Sequence, residues 1–275
     1  ANETILLDKL AIDGSITLIT QGVGGNAAIV NTTQVDLAAS DIGGDLNVTA
    51  TTGGITDSRM TLVASNAVFT TQQIGQSIFL DLLGVNGTIA LQTAVDGDAT
   101  IVNKTGIDLA SSTVGGNLSV TATTGSITDS ASVTVAKAAR FETQVANETI
   151  LLDMLAVNGS IALFTQGGGG NAAIVNATQV DLAASDIGGA LDITATTGGV
   201  VDSGVVLIRG RGSFKSSESG ADIVLDTLDS TRLQLTTLGP NGSAYVTNLR
   251  SLGLDNVDVG GALSVQVVGG DLVVA

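Results

Sequence analysis

The words "GGNAAIVNTTQVDLAASDIGG" at 24–44 return almost unchanged as "GGNAAIVNATQVDLAASDIGG" at 169–189, with a looser copy, "DGDATIVNKTGIDLASSTVGG", at 96–116. A chain that repeats itself at a fixed interval folds as stacked copies of one small unit, each burying its apolar face against the next. The interval is regular. Asp8, Asp81, Asp153 and Asp226 follow one another at steps of 73, 72 and 73, and the double glycines Gly43-Gly44, Gly115-Gly116, Gly188-Gly189 and Gly260-Gly261 keep nearly the same step. "ANETILLD" recurs without change at 146–153, an offset of 145, so the first and third copies are closer to each other than to the second.

Within a copy the apolar pattern is that of short strands. "SITLIT", "LNVTAT", "MTLVAS" and "SIFLDL" alternate, are rich in β-branched residues and are broken by Gly, Asn and Asp. No stretch keeps a helical period beyond two turns. Divided as 117–137, 138–158 and 159–188, the central copy yields three pieces with three apolar runs each. Three short strands per piece, many times over, predict an all-β, right-handed parallel β-helix, or β-solenoid. On this division it has about eleven coils, and three coils make one 72–73-residue unit. Coils spaced at ~4.8 Å give a length of about 50 Å. The whole chain, 1–275, reads as one continuous solenoid with units at roughly 1–72, 73–144, 145–217 and 218–275. Ile150, Leu152, Ile174, Phe141 and Leu163 are expected to point inward in stacked rows.

Composition narrows the function classes. Aromatics make up only 2% of the chain, so its core is aliphatic. The formal charge of −16 repels phosphate backbones and bare anionic membranes, which argues against nucleic acid as a partner. Absence of Cys and His removes disulfides, thiol chemistry, and thiolate or imidazole metal sites. It also removes the commonest general acid/base. Apolar runs are too short for a membrane span.

The strongest regular polar feature is an Asx series: Asp8, Asn31, Asp57, Asp81, Asn103, Asp129, Asp153, Asn176, Asp202, Asp226 and Asn248, at steps of 22 to 26. Read as one column, it is a corner ladder, because Asx side chains bond nearby backbone amides at sharp turns. The competing reading is calcium. Carboxylates stacked at ~4.8 Å repel, and Ca²⁺ could bridge Asp8, Asp57, Asp81, Asp129, Asp153, Asp202 and Asp226. A second series, Asp36, Asp108, Asp181 and Asp255, recurs once per unit, too sparsely to share an ion. Thr20, Thr51, Thr71, Thr93, Thr123, Thr143, Thr165 and Thr196 fall near strand ends, where threonine suits a solvated edge. Ten N-x-[ST] sequons, Asn86 and Asn158 among them, follow from turn Asn preceding strand Thr and carry no separate meaning. "IRGRGSFKSSESG" at 208–220 holds Arg209, Arg211 and Lys215, breaks the repeat, and reads as a degenerate coil.

With the coils drawn, runs such as "GGNLSVTATTGSITDS" and "GSIALFTQ" resemble the shaft repeats of filamentous haemagglutinin-like proteins and autotransporter passengers. The resemblance covers nearly the whole chain and implies a secreted protein of the bacterial cell surface, with roles in adhesion, biofilm or stalk formation. No catalytic residues, and no cofactor other than the calcium above, are assigned. The first functional reading is therefore a non-catalytic structural rod or filament segment. An adhesin gripping a glycan or host protein along one face comes second, and a carbohydrate-active enzyme third. The chain opens inside one coil type and stops after the type that normally precedes it. Expected partners are thus neighbouring coils of a longer parent chain, or further copies stacked end to end.

Overall fold

The chain folds as an all-β parallel β-solenoid of about thirteen turns. The computed structural model describes residues 2–274, among which there is no helix. By compactness the chain divides into two units, Ala1–Lys137 and Ala138–Ala275.

In the first unit the strands stack in two columns. One runs through Ile5–Leu10, Ala27–Asn31, Leu46–Ala50, Ala67–Thr71 and Thr88–Gln92, each parallel to the next. It continues into the short pair Ile107–Leu109 and Ser112–Val114. The other column takes the intervening strands, including Val35–Leu37 with Ser40–Ile42, Ile55–Asp57 with Thr61–Val63, Ile78–Val85, Ala99–Asn103 and Leu118–Ala122. Each turn therefore has a straight side, one longer strand, and a side kinked into two shorter ones. Ala27, Leu46, Ala67 and Ile89 are successive register partners, each one turn further along the chain.

The turn marked by these partners is shorter than the interval of the Asx series, so the count is about thirteen rather than eleven. It also changes the meaning of the repeat. Three turns carry the chain from Ala27 to Ile89, and Ala99, the start of the next copy, lies half a turn further on. A copy is three and a half turns, not three. "AAIVN" at 27–31 and "ATIVN" at 99–103 therefore lie in opposite columns, and the straight and kinked sides change places between them. The second unit repeats the arrangement: Ala172, Leu191, Gly212 and Leu233 are successive partners in one column, while Ala244 pairs with Ile223 in the other. Two copies make seven whole turns, which is why the closest verbal match, "ANETILLD", recurs after two copies rather than after one.

The straight strands alternate inward and outward, as in Ala27–Asn31 and Ala172–Asn176, where every second residue is buried. Ile150, Leu152, Ile174, Phe141 and Leu163 are all at most 2% exposed. Phe69, Phe141 and Phe214 are the largest fully buried side chains, one per copy, in an otherwise aliphatic core. At one kink of each copy a buried serine replaces a lost ladder bond, whereas the register partners on the next turn are Thr61, Val133 and Val206. Ser40 Oγ accepts the amide N–H of Leu18 at 3.0 Å and donates to the Ala38 carbonyl at 3.0 Å, and Ser112 and Ser185 do the same for Leu91 and Leu163.

Turns that touch only their neighbours lose stability locally. Phe69→Ala is expected to cost about 3–5 kcal/mol. Hydrogen exchange should then show the strands at 46–50, 67–71 and 88–92 opening first; uniform loss of protection along the first unit would contradict nearest-neighbour stacking.

Candidate functional site

The recurring polar residues are corner and loop devices, and two kinds of Asx do different work. Asn31, Asn103, Asn176 and Asn248 are fully buried at the ends of straight strands. Each carboxamide pairs with the backbone of one residue a turn earlier, as a peptide group would. Asn103 Oδ1 accepts the Val85 amide at 2.8 Å while its Nδ2 donates to the Val85 carbonyl at 3.0 Å, and again to Gly106 O at 2.8 Å. The same two-way pairing joins Asn31 to Ile12, Asn176 to Val157 and Asn248 to Ser230.

The aspartates of the series cap instead. Asp57 is 8% exposed, and its two oxygens accept the amides of Asp81 and Leu82 at 3.0 and 2.9 Å. Asp202 likewise takes the amides of Asp226 and Thr227 at 2.8 and 3.0 Å. Burial pushes the Asp57 carboxyl up to about 6, against the opposing pull of those two amides and with the nearby charge of Asp81 adding to the rise. Burial also raises Asp202. Asp129 is half-buried at the end of its strand, Ile127–Asp129. The eleven positions do not form one column. Asn31 pairs into the first column, whereas Asp57 and Asn103 pair into the second. The cause is the step: three steps advance three and a half turns, so the series crosses the solenoid every third member. Asp8, Asp81, Asp153 and Asp226 are exposed. Among the described residues, no three Asp or Glu gather as a metal site.

Asp36, Asp108 and Asp181 lie mid-strand on the outward side, each with one buried carboxylate oxygen that no protein group bonds; Asp255 pairs with Arg232. The threonines differ from expectation. Thr20, Thr71, Thr93, Thr143 and Thr165 are buried rather than solvated. Thr93 Oγ1 donates to Gly97 O at 2.6 Å, closing the loop, and accepts the amide of Gly115 on the next turn at 2.9 Å. Thr20, Thr165 and Thr237 make the same clasp to Gly43, Gly188 and Gly260. The turns approach so closely there that a Cβ on Gly115 would collide with the Ala94 carbonyl oxygen. The clasp was readable in advance from the recurrence of Thr 22 or 23 residues before the double glycine in all four copies.

The basic stretch is not degenerate. Val206–Ser216 is one long strand that turns a corner, its first part pairing with Ser185–Ile187 and its last with Leu191–Ala195, with a register shift between Ile208 and Arg211; Arg209 and Arg211, at that corner, reach back to Asp186 and Asp192 of the preceding turn. Arg250 pairs with Asp229 in the same fashion.

Three consecutive segments, 24–94, 96–164 and 169–237, match the family described as "Repeats of unknown function (DUF5649)". The chain belongs to this repeat family. Each match spans one copy of the three-and-a-half-turn unit. No curated protein and no solved structure matches the chain.

Asn103→Ala strips the Val85 amide and carbonyl of their partner together. With buried groups left unpaired at ~1–3 kcal/mol each, the expected loss in denaturant unfolding is about 2–4 kcal/mol. Asn103→Asp, which can accept but not donate, should do no better than alanine near neutral pH. A loss under about 1 kcal/mol for both would dismiss the two-way pairing.

The Asp57 carboxyl titrates at about 6 in the fold, above its ordinary 3.8. Its protonated form is thus favoured by folding. The stability it contributes is complete below about pH 3.8 and is lost as pH rises through about 6. Melting temperature should rise between about pH 7.5 and pH 5, and Asp57→Asn should flatten part of that rise. Identical slopes in the two proteins would remove Asp57 as the source.

Proposed function

We propose that this chain is a non-catalytic structural segment of a secreted or bacterial cell-surface protein, a stiff spacer made of stacked turns. The observation that carries this reading is where the recurring polar groups point. The Asn carboxamides, the Asp57 and Asp202 carboxylates, the kink serines and the clasp threonines all bond the backbone of their own or an adjacent turn. Side chains used this way hold spacing between turns, which is the property a spacer needs, rather than converging on a reacting atom. The likeness to haemagglutinin-type shaft repeats supports the extracellular setting.

The partners we assign are further turns of the same pattern, in a longer parent chain or in a second copy stacked end to end.

Corner capping by Asp57 and Asp202 implies a fold that stands without calcium. Melting with and without a chelator should agree within about a degree; a fall of several degrees would instead reinstate calcium as a bridge between carboxylates. Incubation with a panel of polysaccharides should release no new reducing ends, and any turnover would overturn the structural reading.

A further inference from the structure

In a chain built from copies, departures from the copy single out positions that stacking does not dictate. Two departures meet at one groove of the first unit. It has a volume of about 630 Å³ and an aliphatic floor that includes Leu62, Val63 and Gly84. Where this copy has Gly84, the others have Ala11, Ala156 and Asp229. A Cβ at Gly84 would lie 2.7 Å from Leu62 Cδ2, so the missing methyl lets Leu62 settle against the backbone and leaves the groove open. Where this copy has Lys104, the others have Thr32, Ala177 and Leu249. Lys104 lines the groove and, like Lys9, Arg59 and Lys215 elsewhere, pairs with no carboxylate among the described residues, in a chain of formal charge −16.

The remaining lining says what else a ligand must bring. Thr105, Thr123 and Thr124 line the groove, and their hydroxyl protons are already committed. Thr105 Oγ1 donates to Val85 O at 2.9 Å, and Thr123 and Thr124 donate to Lys104 O at 2.9 and 2.7 Å. What these oxygens still offer is lone pairs, one of those on Thr105 being already taken by Asn103 Nδ2 at 2.9 Å; the Asp41 carboxylate in the same groove is also an acceptor, and the Asn86 carboxamide that lines it adds a donor side and an acceptor side. A fitting ligand therefore carries one anionic group for Lys104, several O–H donors for the threonines and Asp41, and a C–H face for Leu62. An acidic peptide meets the first requirement but offers few donors, one backbone N–H per residue. We infer that the groove binds a sugar acid, either free or as a residue of an acidic polysaccharide. Asp41 disfavours a second carboxylate at its end, which fixes the orientation: acid group at Lys104, hydroxyls toward Asp41.

The test is an NMR titration of the ¹⁵N-labelled protein with D-galacturonate, its linear trimer, D-galactose and a glutamate-rich peptide. Both acidic saccharides, or the trimer alone, should shift the amides of Gly84, Lys104, Thr105 and Thr124. Shifts with the monomer identify a free sugar acid as sufficient, whereas shifts with the trimer alone identify the polysaccharide. Galactose, lacking the charge, should bind about tenfold or more weakly. Lys104→Thr, which installs the residue of the first copy, should weaken the acid by a similar factor while leaving the melting temperature unchanged. Gly84→Ala, the residue of two other copies, should weaken acid and neutral sugar alike by narrowing the groove. The inference is overturned if neither acid binds, if galactose binds as well as galacturonate, if Lys104→Thr leaves the affinity unchanged, or if the peptide shifts these amides and the saccharides do not. None of those outcomes touches the structural reading, which turns on turnover and calcium rather than on this groove.

Discussion

A stacked parallel turn satisfies its backbone only where it runs straight. At each corner the chain leaves the ladder, and the amides and carbonyls of the turn below lose their partners in a setting too buried for water to replace them. The buried Asn, capping Asp, kink Ser and clasp Thr that recur in this protein answer that constraint. The buried asparagine is the most economical answer, because a carboxamide carries one donor side and one acceptor side and can stand in for a peptide group. Asn103 returns to Val85 both bonds that a strand residue would have made. Aspartate can only accept, so it is placed where two amides converge, as at Asp81 and Leu82. Exchanging the two residue types would leave an orphan at either position.

The second organising constraint is a mismatch between word length and turn length. A copy holds three and a half turns, so every feature it carries is delivered to alternate columns. Each column consequently meets a run of straight strands and then a run of kinked ones. The pairs of facing walls stay complementary because a straight side always accompanies a kinked one within a turn. A copy of three whole turns would instead place every Thr–Gly–Gly clasp on one side. The half-turn distributes the tight backbone approaches at Gly43 and Gly115 between the two columns, as it does those at Gly188 and Gly260 in the second unit.

The fold was legible in the sequence because its determinants are local and repeated: alternation along each strand, Gly and Asn at breaks, and a fixed interval. Core rows such as Ile150 and Leu152 could be named for the same reason. The number of turns was not legible, because the Asx series that seemed to count them advances by more than a turn at each step. Asn31 and Asp57 share a residue class and a spacing but occupy different columns, and nothing in the spacing alone separates a carboxamide that pairs from a carboxylate that caps. The threonines were misplaced because propensity puts threonine at a wet edge. Here the hydroxyl of Thr93 has two backbone partners on different turns, and the signal for it was the spacing of Thr to the double glycine rather than the propensity of threonine. The arginines at 209 and 211 broke the word pattern without ending the strand, since they sit exposed at its corner, where a side chain that finds a partner one turn away is tolerated.

That last contrast separates two kinds of irregularity in a repeat protein. Arg209 and Arg211 depart from the other copies, but each is answered by an aspartate on the preceding turn, so the departure closes on itself. Lys104 and Gly84 also depart, and neither is answered. The lysine has a charge without a counter-charge, and the glycine lets Leu62 settle against the backbone and leaves the groove above it open. In a chain so acidic, an unpaired ammonium beside carbonyls and hydroxyl oxygens is not required by stacking, because the other copies stack with threonine, alanine or leucine at the same place. Irregularities that close on themselves belong to the architecture. Those left open are where such an architecture can meet something other than itself.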